Sequence, residues 1–219
     1  MKQNTFRILL FLIAIISSTS IYAQENSEES EYKTLFGDNV EHGGYGAFSI
    51  GYTQIGDNSA FTAGGKGAWI INHSIGLGMA GSGFATGKLE SKFIDDKDAY
   101  LVGGYGGFLI EPIFYANNPV HFSLPIIIGG GGVTYLRDSY LNNPGSYYPD
   151  YYSTFFVFEP GIELELNVVK FMRVAFGVSY RMTSEIDLTA NILGNEIELL
   201  GKKDMNRIVA KMIFKFGKF

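Results

Sequence analysis

Hydrophobic and polar residues alternate with period two over most of the chain beyond residue 43, and a helical period is hard to find there. The clearest stretch runs from Phe171 to Thr183. Met172, Val174, Phe176, Val178, Tyr180 and Met182 form an apolar face, while Arg173, Ala175, Gly177, Ser179, Arg181 and Thr183 form a polar or small one. Just before it, Phe156, Phe158, Pro160, Ile162, Leu164 and Leu166 alternate with Glu159, Gly161, Glu163 and Glu165. The two stretches suit one hairpin, and a turn at Val168 to Lys170 sets Glu165 directly across from Arg173 as a same-face ion pair. The same reading predicts further strands at about 44 to 54, 60 to 71, 75 to 87, 99 to 113, 120 to 135 and 205 to 218, eight in all.

The direction in which the oily faces point decides the class. A soluble barrel with those faces inward needs frequent charges on its exterior, and only 18% of residues are charged. The polar faces instead collect charges of both signs (Lys66, Glu111, Glu159, Glu163, Glu165, Arg173, Arg181, Arg207 and Lys211) among Gly64, Ala68, Gly76, Gly78, Ala80, Gly103, Gly107, Gly129 and Gly131. Paired charges inside and apolar groups outside is the pattern of a transmembrane barrel, whose closure satisfies every backbone group in lipid. The expected fold is all-β: an eight-stranded antiparallel up-and-down transmembrane β-barrel with a charge-paired lumen. Small residues on the inward face make room for the large charged ones, which accounts for 28 glycines. The glycine runs at Gly64-Gly65 and Gly129 to Gly132 do not lead into a helical pattern, as a phosphate-cradling loop requires.

Links near His73, Asn117-Asn118 and Val168-Val169 are short, those at about 88 to 98, 136 to 153 and 185 to 204 are long, and the first, at Ile55 to Ser59, is intermediate. Short and long alternate, as in outer-membrane barrels with short periplasmic turns, so both termini are expected on the periplasmic side. Trp69, Phe114, Tyr115 and Phe171 then fall near the inner rim, and Tyr52, Tyr100, Tyr135 and Tyr180 near the outer rim, as two aromatic belts. The link at 185 to 204 is read either as an extension of the last two strands, turning at Gly194-Asn195, or as a short helix.

Ahead of the barrel, Lys2 and Arg7 precede the apolar run Ile8 to Ile16, and Ile21-Tyr22-Ala23 closes the segment. This is a secretory signal peptide, residues 1–23, too short in its apolar part to span a bilayer. Its removal carries off two basic residues and takes the formal charge from -5 to -7. Residues 24–42 form an acidic arm, and residues 43–219 the barrel. Scattered basic residues give no footprint for nucleic acid, and zero cysteines exclude disulfides, cysteine-held zinc and a lipidated cysteine.

The signal ending in Tyr22-Ala23-Gln24, the phrases Gly103-Gly104-Tyr105-Gly106-Gly107-Phe108-Leu109-Ile110-Glu111-Pro112 and Phe158-Glu159-Pro160-Gly161-Ile162-Glu163-Leu164-Glu165, and the terminal Phe219 resemble the small outer-membrane β-barrel family of Gram-negative bacteria. The resemblance spans roughly residues 43 to 219. It implies a place in the outer membrane among its lipid and lipopolysaccharide, a monomeric barrel, and insertion by the outer-membrane assembly machinery, which reads the last strand through Phe214, Phe216 and Phe219. Phe219 is out of phase with the other two, so a bulge at Gly217 corrects it or the signal is imperfect.

Candidate chemistry is sparse: the three histidines show no metal-ligand spacing, and there is no nucleophile elbow. Neither a metal nor a cofactor is expected. His121 and Ser123 share a strand face, with Glu111 across from Ser123 if the hairpin turns near Asn117, and together they resemble the triad of lipid A deacylases. The alternative is a buried hydrogen-bonded cluster. Asp95, Asp96 and Asp98 lack the glycine and distal glutamate of a calcium loop. Tyr140, Tyr147, Tyr148, Tyr151 and Tyr152 offer amphipathic contact area for an extracellular glycan or protein ligand, or pack over the barrel mouth. The functional expectation is a non-catalytic structural or surface-interaction protein with a plugged lumen, the alternatives being an acyl hydrolase-like enzyme and a narrow small-solute channel.

Overall fold

The computed structural model describes residues 40–89, 99–137, 151–192, 195–201 and 203–219. The signal peptide, most of the acidic arm, the Asp95–Asp98 group and Tyr140, Tyr147 and Tyr148 lie outside the described residues. Within them, β1 (His42–Ile55), β2 (Asn58–Ile71), β3 (Ile75–Thr86), β4 (Ala99–Phe114), β5 (Val120–Ser123), β6 (Ile126–Arg137), β7 (Tyr152–Val169), β8 (Met172–Thr183) and β11 (Arg207–Lys218) belong to one antiparallel sheet. β9 (Leu188–Ile192) and β10 (Asn195–Leu200) form a separate hairpin.

The sheet closes on itself. Each strand pairs with the next in sequence, and β1 pairs with β11 from Gly44↔Lys218 to Thr53↔Val209. β5 and β6 are one barrel strand interrupted at Leu124-Pro125: both pair with β4 in one register, Ile113↔Ser123 and Ile110↔Ile126. The interruption has a local cause. Pro125 has no N–H to give the ladder, yet its carbonyl accepts from Gly161 N at 2.8 Å, and Leu124 N donates to Pro112 O at 2.9 Å, so the pairing resumes in phase. The fold is thus an eight-stranded up-and-down barrel without a free edge.

The period-two reading holds strand by strand. In β8, Arg173, Ala175, Gly177 and Arg181 are buried while Phe176, Val178 and Tyr180 are exposed. Three expectations need correction. Glu165 pairs with Ala175, and Asn167 faces Arg173, because a bulge between Asn167 and Val169 shifts the hairpin. The first link is the two-residue turn Gly56-Asp57, shorter than the turns it was expected to exceed, so link lengths do not strictly alternate. Gly56, at φ 56°, supplies the left-handed residue such a turn demands. Tyr135 is 3% exposed and faces inward with Val133 instead of joining the outer belt; Tyr100 is half-buried, whereas Tyr52 and Tyr180 are exposed as expected.

Several inward glycines have a sharper reason than room for charges. A Cβ on Gly107 would meet the Ile128 carbonyl and lie 2.6 Å from the Gly129 Cα, and one on Gly129 would meet the Gly106 carbonyl in return. The wall between β4 and β6 therefore bends too tightly to admit any side chain at that layer.

Candidate functional site: the charged lumen and its two ends

The lumen has a charged layer between two apolar ones. At its centre is Lys215 of β11, 1% exposed, which the sequence reading missed. Its ammonium lies 2.8 Å from Glu111 Oε1, 2.9 Å from Glu163 Oε2 and 2.7 Å from Glu165 Oε1. The signal was present: if Phe214 and Phe216 face outward, Lys215 between them faces in, on the stripe shared with Lys211 and Ile213. Lys66 of β2 reaches the same carboxylates, 2.8 Å from Glu111 and 2.7 Å from Glu163. Tyr45 donates its hydroxyl to Glu111 Oε2, and Ser123 donates to Glu111 Oε1 at 3.1 Å. Arg173 Nη1 approaches Glu165 at 3.5 Å despite the bulge. Three glutamates thus face three permanent cations, the arrangement under which buried charge is tolerated.

A second pair sits further along the axis. Lys211 lies 2.5 Å from Glu159, which also accepts from Ser179 Oγ at 2.7 Å. Between this pair and the lower cluster is a cavity of about 40 Å3 touched by Lys66, Glu159, Glu163, Ser179 and Lys211, with room for about three water molecules. Arg181 is fully buried and has no carboxylate. It donates Nε to the Met205 carbonyl at 2.8 Å, and its guanidinium lies over the rings of Phe84 and Tyr105 at 5.4 and 5.7 Å. Arg207, expected inside, sits at the rim and donates to the Gly56 carbonyl at 3.1 Å.

The end of the barrel carrying the longer links is closed by an apolar core. Ile186, Leu188, Leu199, Leu200 and Met205, all in the segment joining β8 to β11, pack against Ile55, Phe84, Leu101, Tyr135, Phe155 and Val157 of the wall. The β9–β10 hairpin is neither a strand extension nor a helix; it anchors in the mouth. Tyr151 packs against this core, while Tyr152 is exposed, so the tyrosine segment divides where it becomes visible. At the turn end, Tyr45, Ala68, Ile70, Leu109, Ile113 and Ile127 form a smaller apolar layer joined by Phe219. Phe219 turns inward, its ring 4.0 Å from the Arg173 guanidinium and stacked on Tyr45. No bulge at Gly217 re-phases it, since the β1–β11 register runs unbroken through Tyr45↔Gly217. Phe214 and Phe216 point outward and stack on Phe48.

The residues weighed as a triad are brought near one another but not into a relay. Ser123 faces Ile113 rather than Glu111 in the ladder, and its hydroxyl is committed to Glu111. His121 Nε2 lies 3.3 Å from a different carboxylate, that of Glu165. No hydrogen bond joins Ser123 to His121, and both are buried, so the serine has neither a base nor access to substrate. The three glutamates Glu111, Glu163 and Glu165 also have a spacing that could ligate a metal ion. The Lys215 ammonium already contacts all three.

No protein-family model matches the chain, and no curated protein is significantly similar to it. Among solved structures it is similar to Ail, the attachment invasion locus protein of Yersinia pestis, in complex with the heparin analogue sucrose octasulfate, at 16% identity over 80% of this chain and 99% of that one, TM-score 0.40. It is also similar to Neisserial surface protein A, at 12% identity over 83% of this chain and 100% of that one, TM-score 0.43. A third likeness is to the outer membrane protein Ail of Yersinia pestis in a phospholipid bilayer nanodisc, at 15% identity over 80% of this chain and 99% of that one, TM-score 0.33. The closed strand register, rather than these distant likenesses, carries the fold.

Proposed function

We propose that this chain is an integral barrel of the Gram-negative outer membrane, with both barrel termini periplasmic, a lumen that does not conduct, and a structural or surface-interaction role without catalysis. The observation that supports it is the inversion of an ordinary protein. Phe108 and Phe156 are 72% and 79% exposed on the outside, whereas Glu111, Glu165 and Lys215 are closed within. An apolar surface of that extent is unsuited to water and suited to acyl chains. Recovery of the processed chain as a detergent-free, water-soluble monomer refutes the membrane placement.

The plugged lumen rests on three layers: the apolar cap of the β9–β10 segment, the ion cluster around Lys215, and Phe219 over Arg173. In planar bilayers the protein is expected to give no stable step of porin size, and such a step overturns this part of the reading. Surface interaction rests on the four links opposite the turns. They hold twelve acidic residues against five basic ones, with the tyrosines Tyr140, Tyr147, Tyr148, Tyr151 and Tyr152 in the third. That balance repels sulfated polymers and favours a neutral glycan or a protein with a basic face. Deleting residues 139–150 and measuring adhesion to host matrix and to a glycan array tests it; unchanged binding removes the tyrosine link from the proposal.

A further inference from the structure

The three short turns and the end of β11 surround a polar mouth of about 530 Å3 at the turn end of the barrel. His73, Asn167, Lys170, Arg173, Lys218 and Phe219 line it, and no aspartate or glutamate does so among the described residues. The nearest acids are spoken for. Glu41 holds His73 at 2.7 Å, and Glu165, 3.5 Å from Arg173, is taken at 2.7 Å by Lys215. The Asn167 amide donates to the carbonyls of Ala116 and Asn118 at 3.1 and 2.7 Å, which fixes the wall opposite Arg173. Arg173 itself is 4% exposed, yet its Nε has no hydrogen-bond partner, an uncommon state for a buried guanidinium nitrogen. Lys170 and Lys218 are exposed on the rim, and no carboxylate among the described residues is within ion-pair distance of either.

We propose that this mouth is an oxyanion site, in which Lys170 and Lys218 bind a carboxylate or phosphate group and Arg173, behind the Phe219 ring, supplies the buried positive charge beneath it. A concave opening lined only by cations and amides focuses an attractive field on small anions, and charge-assisted contacts from two ammonium groups hold one. On the orientation proposed above, the mouth opens to the periplasm. The two sources of that chemistry there are free phosphate and the acidic peptides of the cell wall. The site lies at the opposite end from the surface links, so its binding is read independently of conduction or adhesion.

The test uses the full processed chain in zwitterionic nanodiscs at low salt, titrated calorimetrically with inorganic phosphate in one arm and with N-acetyl-glutamyl-glutamate in the other. Saturable binding of at least one probe is expected, weakening by about tenfold in Lys170→Gln/Lys218→Gln, which corresponds to one lost charge-assisted contact. The stronger arm identifies the source. Lys203→Gln, an exposed lysine at the other end, is expected to leave the affinity unchanged. No saturable binding of either probe, an unchanged affinity in the double variant, or an equal loss in Lys203→Gln each overturns the proposal. Both rim lysines are exposed, so the double variant is expected to keep the folded gel mobility of the parent.

Discussion

Replacing Lys215 with methionine isolates the charge balance of the lumen from its packing, because the two side chains have similar length. The ammonium contacts three carboxylates between 2.7 and 2.9 Å. Without it, Glu111 and Glu163 keep Lys66 at 2.8 and 2.7 Å, while Glu165 retains only Arg173 at 3.5 Å and His121 at 3.3 Å. Three buried negative charges then face two permanent positive ones, and breaking a buried pair by removing one partner costs about 3 to 5 kcal/mol. Because the surplus charge falls on Glu165, adding Glu165→Gln is expected to restore about 1 to 3 kcal/mol as a coupling energy. Glu163→Gln restores less, since Glu163 still has Lys66. Urea unfolding from lipid vesicles, followed by the fluorescence of Trp69, the single tryptophan, measures all four variants. A loss below about 1 kcal/mol in Lys215→Met, or a rescue by Glu163→Gln as large as that by Glu165→Gln, refutes the assignment of Lys215 as the hub.

Val178→Arg on the exterior is expected to cost about 2 to 4 kcal/mol in a bilayer, and its neighbour Ser179→Ala about 1 kcal/mol through the lost bond to Glu159; equal effects in the same unfolding assay contradict the facing. Gly107→Val is expected to abolish the heat-modifiable folded band on gels because its Cβ lies 2.6 Å from the Gly129 Cα, while Gly46→Val, with nothing within 4 Å of its Cβ, is expected to fold. Ser123→Ala and His121→Ala are expected to leave lipid A acylation unchanged by mass spectrometry, and any change revives the enzymatic alternative.

Strand positions and facing were legible in the sequence because a closed barrel imposes period two on every wall segment, and each face meets a chemically uniform medium. What period two does not carry is what lies off the wall. Ile186, Leu188, Leu199 and Leu200 belong to a link whose apolar residues look like any short strand, and only the closed barrel shows the mouth they fill. Tyr135 was assigned to a belt by its height along the strand, but parity with Val133 places it inside, so phase outranks height. The Glu165–Arg173 contact survived a wrong register because long side chains span a diagonal pair. Lys215 was missed by attending to the aromatics on either side of it rather than to the parity they imply.

Phe219 separates two roles that the sequence combines. As part of an assembly signal it belongs with Phe214 and Phe216, yet those two stack on Phe48 outside, and Phe219 stacks on Tyr45 and Arg173 within. An outward aromatic serves recognition by the assembly machinery before insertion; an inward one contributes only once the barrel has closed around it. Phe216→Ala is therefore expected to reduce the yield of folded protein in cells while changing stability in purified vesicles little. Phe219→Ala loses a desolvated cation–π contact, worth about 1 to 2 kcal/mol, and the packing beneath it. Its deficit is expected in the vesicle unfolding assay, where no machinery is present. If Phe219→Ala leaves unfolding unchanged and lowers only the cellular yield, the inward ring contributes nothing to the finished barrel, and the recognition role accounts for it alone.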